Sequence, residues 1–167
     1  MSKRTVVSGL AAVLGASAML LAGMPGSASA TEVGIQAVGN QYKNEKTELC
    51  LDSDYQGNVY TKSCAWDKHN AYQQWNVYRI DIPGFEFDEF ILANVQTNRC
   101  LETGSGDSVR TAPCNYSESQ QWTKSTYNGA WILKNAANHR ALDSDHAGQA
   151  YTSTFGVGNP YMRWVQQ

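Results

Sequence analysis

The chain has 167 residues, of which 13 are Lys or Arg and 15 are Asp or Glu, so its formal charge is −2. This length is typical of a single domain. The sequence has no basic tract, whereas nucleic-acid binding draws most of its free energy from clustered Lys and Arg. We therefore expect no nucleic-acid partner.

The first 30 residues have the pattern of a secretory signal peptide. Lys3 and Arg4 precede an apolar and small-residue stretch, residues 5–23, and residues 28–30 have the small-x-small form that a signal peptidase accepts. A transmembrane anchor is the alternative, but small and polar residues dilute a run that is short for a ~30 Å hydrocarbon core. We expect a secreted, extracellular protein without a membrane span, whose mature domain is residues 31–167.

The cysteines form an even set with equal spacing, since each of two gaps is 14 residues long: Cys50 to Cys64 and Cys100 to Cys114. Four cysteines allow three connectivities, and in an oxidising compartment disulfides persist. The equal gaps favour two equivalent local bridges. A zinc site would need close pairs such as C-x₂-C, which the sequence lacks, so we expect no metal.

The mature chain consists of three copies of one unit. The first blocks of the copies are residues 49–54, 99–104 and 140–145, the second blocks are residues 59–64, 109–114 and 150–155, and the copies end at Trp75, Trp122 and Trp164. Nine extra residues fall in the first interval, within the stretches 65–70 and 83–89. Approximate limits of the repeats are 35–78, 90–125 and 130–167.

The third copy lacks the cysteines of the other two. Ala141 and Phe155 stand at the positions that Cys occupies in copies one and two. An apolar pair in place of a bridge supports pairing of the cysteines within each copy.

The local pattern is that of β structure. Short apolar alternations are broken by Gly, Asn, Asp and Ser about every ten residues, and about four short strands fit in each copy. Three copies are fewer than the blades that a propeller needs to close. We expect a compact, closed, all-β structure with pseudo-three-fold symmetry, whose shared core contains one Leu and one Trp from each copy: Leu51, Leu101, Leu142, Trp75, Trp122 and Trp164.

The repeated Cys-Leu-Asp and Gln-x-Trp motifs resemble the ricin-type β-trefoil lectins and carbohydrate-binding modules. Within copies one and three the sequence is most similar to the actinohivin-like three-repeat lectins, which bind high-mannose glycans. Residues 51–61 with 72–75 carry the stronger match, and residues 142–164 carry a weaker one. The resemblance spans nearly the whole mature chain and implies a β-trefoil fold.

The resemblance also implies one carbohydrate site in each complete repeat. In that family each repeat binds sugar through an Asp, a Tyr on the following strand, a loop Asn and a Tyr three residues before the Trp. A carboxylate accepts two adjacent sugar hydroxyls, and a Tyr offers an apolar face and a hydroxyl at the rim. The matching positions are Asp52, Tyr60 and Tyr72 in copy one and Asp143, Tyr151 and Tyr161 in copy three. Loop insertions displace the Asn, and Asn70 and Asn159 are its candidate replacements.

Copy two departs from this pattern. Glu102, Arg110 and Ser119 occupy the Asp, Tyr and Tyr positions, and only Asn115 matches, so we expect its site to be dead or altered. A purely structural role is the alternative for the Asp residues, in which each accepts hydrogen bonds from backbone amides of its own turn. That role predicts that all three copies keep the Asp.

The sequence shows no catalytic constellation and no cofactor motif. Residues 106–108 resemble a fragment of an esterase signature but fall in a repeat turn, and His69, His139 and His146 lack metal-ligand spacing. Residues 83–90 form an aromatic-acidic segment whose Phe residues either begin the next strand or dock a protein partner. We expect a monomer that is not an enzyme.

The leading hypothesis is a secreted lectin for mannose-rich glycans or polysaccharide. Two alternatives remain open: a non-catalytic trefoil that acts as a protein-interaction adaptor or inhibitor, and an accessory module for a separate glycan-degrading enzyme.

Overall fold

The computed structural model describes residues 39–66, 69–80 and 89–167. These residues belong to one compact unit, Ile35–Gln167. The predicted leader, residues 1–30, lies outside the described residues, as do residues 83–88 of the aromatic-acidic segment. Phe90 of that segment lies in a strand. No helix within the described ranges is both long and apolar enough to cross a membrane.

The fold is all-β with four strands in each repeat, as the sequence predicts, and each repeat also contains one short 3₁₀ helix. The strands are β1 (Tyr42–Asn44), β2 (Leu49–Ser53), β3 (Val59–Ser63), β4 (Trp75–Ile80), β5 (Glu89–Asn94), β6 (Arg99–Thr103), β7 (Val109–Pro113), β8 (Trp122–Tyr127), β9 (Ala130–Asn135), β10 (Ala141–Ser144), β11 (Ala150–Ser153) and β12 (Trp164–Gln166). The 3₁₀ helices are Ala71–Gln73, Glu118–Gln120 and Pro160–Met162.

Six strands close into a barrel and three hairpins cover it. The antiparallel pairs β1–β12, β12–β9, β9–β8, β8–β5 and β5–β4 run around the barrel, and a bridge between Asn40 and Trp75 joins β4 back to the start. Closure of this kind reduces the sheet edge that is open to pairing with another chain. The hairpins are β2–β3, β6–β7 and β10–β11.

The core confirms the predicted shared centre. The Leu and Trp of each repeat are fully buried in one cluster. Each indole Nε1 donates to the carbonyl of the Leu of its own repeat, at 3.1 Å for Trp75, 3.0 Å for Trp122 and 3.0 Å for Trp164. Each Trp thus buries a large ring without leaving its N–H unsatisfied.

The two disulfides confirm the pairing within copies, since Cys50 bonds to Cys64 and Cys100 to Cys114. The two apolar residues that replace the cysteines in the third repeat differ in burial. Ala141 is fully buried, whereas Phe155 is 40% exposed. The cysteines that align with Phe155, Cys64 and Cys114, are likewise only half-buried.

Candidate carbohydrate site

Strand register brings the first two candidate residues of each site together. Asp52 on β2 lies directly opposite Tyr60 on β3, and Asp143 on β10 lies opposite Tyr151 on β11. Side chains that are directly opposite in an antiparallel pair share one face of the sheet. Because the register is the same in both hairpins, both place a carboxylate and a phenol side by side.

The 3₁₀ helix supplies the other two residues of the first site. Asn70 caps the helix by accepting from the Tyr72 amide at 3.1 Å, and its Nδ2 lies 3.3 Å from Asp52 Oδ2. Gln73 also donates to Asp52 Oδ2, at 3.1 Å. These contacts fix the orientation of the carboxylate. The four predicted residues line one open cleft of about 290 Å³.

Burial and neighbouring charges set the electrostatics of this cleft. Burial raises the pKa of the Asp52 carboxyl, while donation from Gln73 and the charge of Lys62 act in the opposite direction. Burial, followed by the nearby Asp52 and Asp54 carboxylates, raises the pKa of Tyr60 to about 12. At neutral pH the Tyr60 hydroxyl therefore keeps its proton and can donate a hydrogen bond.

The third repeat assembles the same arrangement. Asn159 accepts from the Tyr161 amide at 3.0 Å and donates to Asp143 Oδ2 at 3.1 Å. Ser153 donates its hydroxyl to the same carboxylate oxygen. All four predicted residues again line one cleft, of about 200 Å³. The displaced asparagines of both repeats therefore lie where they can hold the carboxylate.

The second repeat is closed by its own side chains. Arg110 lies opposite Glu102 in the hairpin, and its Nε and Nη2 are each 2.7 Å from Glu102 Oε1. Gln120 donates to the other carboxylate oxygen at 2.9 Å. Ser119 meets Ser117, at 2.9 Å between their hydroxyl oxygens. The carboxylate that would receive a ligand is thus already hydrogen-bonded at both oxygens.

The second repeat also lacks the equivalent cap. Asn115 accepts from the Ser117 amide at 3.0 Å, and no side-chain hydrogen bond caps the helix at Ser117. Asn115 therefore matches the sequence pattern without taking the position that Asn70 and Asn159 occupy.

Each cleft also contains an aromatic ring that the sequence analysis missed. Tyr55 packs edge-on against Tyr72, with ring centroids 5.6 Å apart, and His146 packs edge-on against Tyr161 at 5.7 Å. Both lie three residues after the site Asp, where the second copy has Ser105. This shared offset, together with its loss in copy two, is the signal that could have found them.

The first site extends across a repeat boundary. Gln96, which belongs to the second repeat, donates its Nε2 to the Tyr55 hydroxyl at 2.7 Å. Tyr55 is 58% exposed, so this bond and the edge-on contact with Tyr72 hold an exposed ring at the wall of the cleft. Nothing in the local sequence pattern indicates this contact.

Two larger clefts lie away from these sites. One, of about 1000 Å³, is lined by Lys124, His139 and Phe155 among others, and one of about 600 Å³ is lined by Lys43 and Trp66 among others. Neither brings together an acidic acceptor, an amide and two tyrosine rings as the hairpin clefts do.

Over the described parts of the chain, no group of three or more His, Cys, Asp or Glu side chains could hold a metal ion.

Known structures share this fold at low sequence identity. The designed three-fold symmetric protein ThreeFoil is 17% identical with a TM-score of 0.64, covering 77% of this chain and 97% of its own. SeviL bound to asialo-GM1 saccharide is 15% identical with a TM-score of 0.61, covering 77% and 96%. The cytolethal distending toxin of Haemophilus ducreyi is 12% identical with a TM-score of 0.64, covering 79% and 84%.

Sequence comparison identifies the family. No curated protein matches the chain, but a sequence model described as the ricin-type beta-trefoil lectin domain-like family matches residues 71–154. That match covers half of the chain. Three repeats of four strands, closed around a core of Leu and Trp, have the architecture that the family description names. The chain therefore belongs to the ricin-type β-trefoil lectin-like family.

Proposed function

We propose that this protein is a secreted lectin that recognises mannose-rich glycans or polysaccharide through its first and third repeats. One observation carries the proposal: the first and third repeats each bring an Asp, a Tyr, an Asn and a second Tyr together in a cleft of their own, while the second repeat pairs its carboxylate with Arg110. Family membership supports a carbohydrate-binding role.

The chemistry of the clefts suits a polyol. Asp52 and Asp143 lie at the base of the clefts, 2% and 3% exposed, and an Asn amide holds Oδ2 of each carboxylate. A carboxylate fixed in this way can accept hydrogen bonds from sugar hydroxyls that enter the cleft. Tyr60 and Tyr151 supply an apolar face for the C–H side of a sugar ring. Both clefts are open and small, so the arrangement favours reversible binding over catalysis.

Two sites on separate repeats give the protein avidity. A shallow site of this kind is expected to bind with a Kd near 1 mM, about −4 kcal/mol. Simultaneous engagement of both sites on a multivalent glycan surface would raise the apparent affinity by about 10²–10⁴-fold.

A glycan array on the oxidised protein, followed by calorimetric titration of the best ligand, tests the proposal. The variant that combines Asp52→Asn with Asp143→Asn should abolish binding while keeping the fold. Glu102→Gln is the control, because it alters the buried carboxylate at the same position of the second repeat, which accepts from Gln120 as Asp52 accepts from Gln73. It should leave binding unchanged. Absence of sugar binding at millimolar concentration would refute the lectin proposal. Unchanged affinity in the double variant would refute only the site assignment.

A second candidate function is a protein-interaction adaptor or inhibitor. Trp66 is fully exposed, and Tyr116 and Val157 at the matching positions of the other repeats are 60% and 49% exposed. Exposed apolar residues of this kind often mark interaction sites. A pull-down from culture supernatant distinguishes the two functions: elution by mannose supports the lectin, and retention of one protein regardless of sugar supports the adaptor.

A further inference from the structure

The two candidate clefts differ at one position on the strand that carries the site tyrosine. Two residues after Tyr60 the first repeat has Lys62, whereas two residues after Tyr151 the third repeat has Ser153. The Ser153 hydroxyl is already bonded to the Asp143 carboxylate. Lys62 instead lines the first cleft, with its Nζ 4.7 Å from the centroid of the Tyr60 ring. The first cleft therefore contains a cation that the third lacks.

The carboxylates beside Lys62 have other donors. Asp54 is bonded within its own turn, accepting from the Asn58 amide at 2.9 Å and from Asn58 Nδ2 at 2.7 Å. Asp52 accepts from Gln73 and from the Asn70 amide group. Among the described residues, the salt bridges involve other groups, and none joins Lys62 to a carboxylate. The ammonium thus lies near the Asp52 carboxylate, whose ionised form it favours, but it forms no salt bridge with a carboxylate in this part of the chain.

The position of the ammonium discriminates between ligands. A neutral sugar that stacks on the Tyr60 face where Lys62 lies must displace the ammonium from the ring, and it offers no charge in return. A sugar with a carboxylate replaces that cation–π contact with a charge-assisted hydrogen bond. In each cleft the sugar carboxylate would also meet two aspartates, Asp52 and Asp54 in the first and Asp143 and Asp145 in the third. Only the first cleft has a lysine to offset them, since no Lys or Arg belongs to the described lining of the third.

We propose that Lys62 makes the first site selective for an acidic saccharide, a pyranose bearing a carboxylate, while the third site takes a neutral one. This inference rests on the proposed carbohydrate-binding function and specifies its ligand at one site. The protein would then recognise glycans in which uronic acid and neutral residues both occur.

A matched pair of ligands tests the inference: methyl α-mannoside and methyl α-mannuronoside, which share their ring and differ in the oxidation of C6. Both are titrated into the oxidised full chain at low salt, and backbone amide NMR signals near Lys62 and Ser153 report the two sites separately. Two variants exchange the rim residues, Lys62→Ser and Ser153→Lys.

The first site should bind the uronoside about three- to fivefold more tightly than the mannoside, the gain of one partly exposed ion pair. That preference should disappear in Lys62→Ser and in about 0.5 M salt, which shortens the Debye length to a few ångströms. Ser153→Lys should create the same preference at the third site.

Equal affinity of the first site for the two sugars, unchanged by Lys62→Ser, would overturn the inference and leave the lectin proposal intact. Failure of both sugars to shift signals at either site would instead count against the mannose-type lectin itself. Should Ser153→Lys not fold, the comparison of the unaltered protein with Lys62→Ser still decides the inference.

Discussion

The carboxyl group of Asp52 has to be ionised to accept two sugar hydroxyls, and its surroundings oppose ionisation. Burial raises its pKa, and hydrogen bonds from Gln73 and Asn70 together with the charge of Lys62 only partly offset this effect. Protonation turns one acceptor oxygen into a donor. Sugar binding at the first site should therefore weaken on acidification at a pH above about 3.9, the ordinary value for Asp.

Titrations of a neutral sugar at several pH values between 7 and 4 measure this effect. Affinity that stays constant down to about pH 4 would contradict the raised pKa. The pH dependence of folding stability has the opposite direction. Because the pKa of Asp52 is raised in the folded state, its contribution to stability is present at low pH and is lost as the pH rises through that pKa.

Met162 leaves the third repeat without a hydrogen bond that the other two have. Gln73 and Gln120 donate to the site carboxylates Asp52 and Glu102, and Met162 stands at their position. Oδ1 of Asp143 is buried and has no hydrogen-bond partner among the described residues. A buried acceptor without a donor costs about 1–3 kcal/mol.

Met162→Gln should therefore stabilise the protein, by about 1 kcal/mol after the loss of apolar burial is subtracted. Thermal unfolding measures the change. Met162→Leu is the control, since it stays apolar and brings no donor, and it should not raise the Tm. An unchanged or lower Tm for the Gln variant would mean that its amide does not reach the carboxylate.

At the scale of the elements, the turns of the hairpins tie neighbouring repeats together. Gly148 accepts at its carbonyl from the Thr61 amide at 2.8 Å, and Tyr60 forms an isolated bridge with Gln149. β3, which carries Tyr60 of the first site, is thus held by the turn between β10 and β11 of the third repeat. Gly148 has φ of +85°, and an added Cβ would lie 2.9 Å from the Thr61 carbonyl oxygen.

Gly148→Ala should destabilise the fold by about 1–3 kcal/mol, because it combines backbone strain with crowding against Thr61. Gly129→Ala is a matched control, since Gly129 has φ of +83° and no atom within 4 Å of the added Cβ, so it reports the strain alone. Urea unfolding of both variants gives the difference. Equal losses of stability would show that the turn moves away from β3 at no cost.

At the scale of the whole molecule, two repeats are cross-linked and the third is not. Each disulfide closes a loop with a sequence separation of 14, for which the chain-entropy model gives about 3 kcal/mol per bridge. Reduction of both bridges should therefore lower the free energy of unfolding by several kcal/mol. Urea unfolding with and without reductant measures the change, and an unchanged midpoint would show that the closed barrel is stable without the bridges.

The repetition of the sequence by itself determined the number of repeats, the pairing of the cysteines and the Leu–Trp core. The reason is local: equal segments with equal strand and turn patterns fold alike, and one copy alone cannot bury its apolar face. The resemblance of copies one and three to the three-repeat lectins indicated the carboxylates and tyrosines of both candidate sites, and the shared hairpin register places Asp52 opposite Tyr60 and Asp143 opposite Tyr151.

Only the tertiary structure decided what surrounds those residues. Gln96 reaches Tyr55 across 41 positions of sequence, and the pairing of Arg110 with Glu102 explains by an ion pair why the second repeat departs from the pattern. Phe155, which stands where the other repeats have their second Cys, is 40% exposed. Such contacts depend on how the closed barrel places one repeat against the next and on how each loop leaves its strand, and neither is contained in the pattern of a single copy.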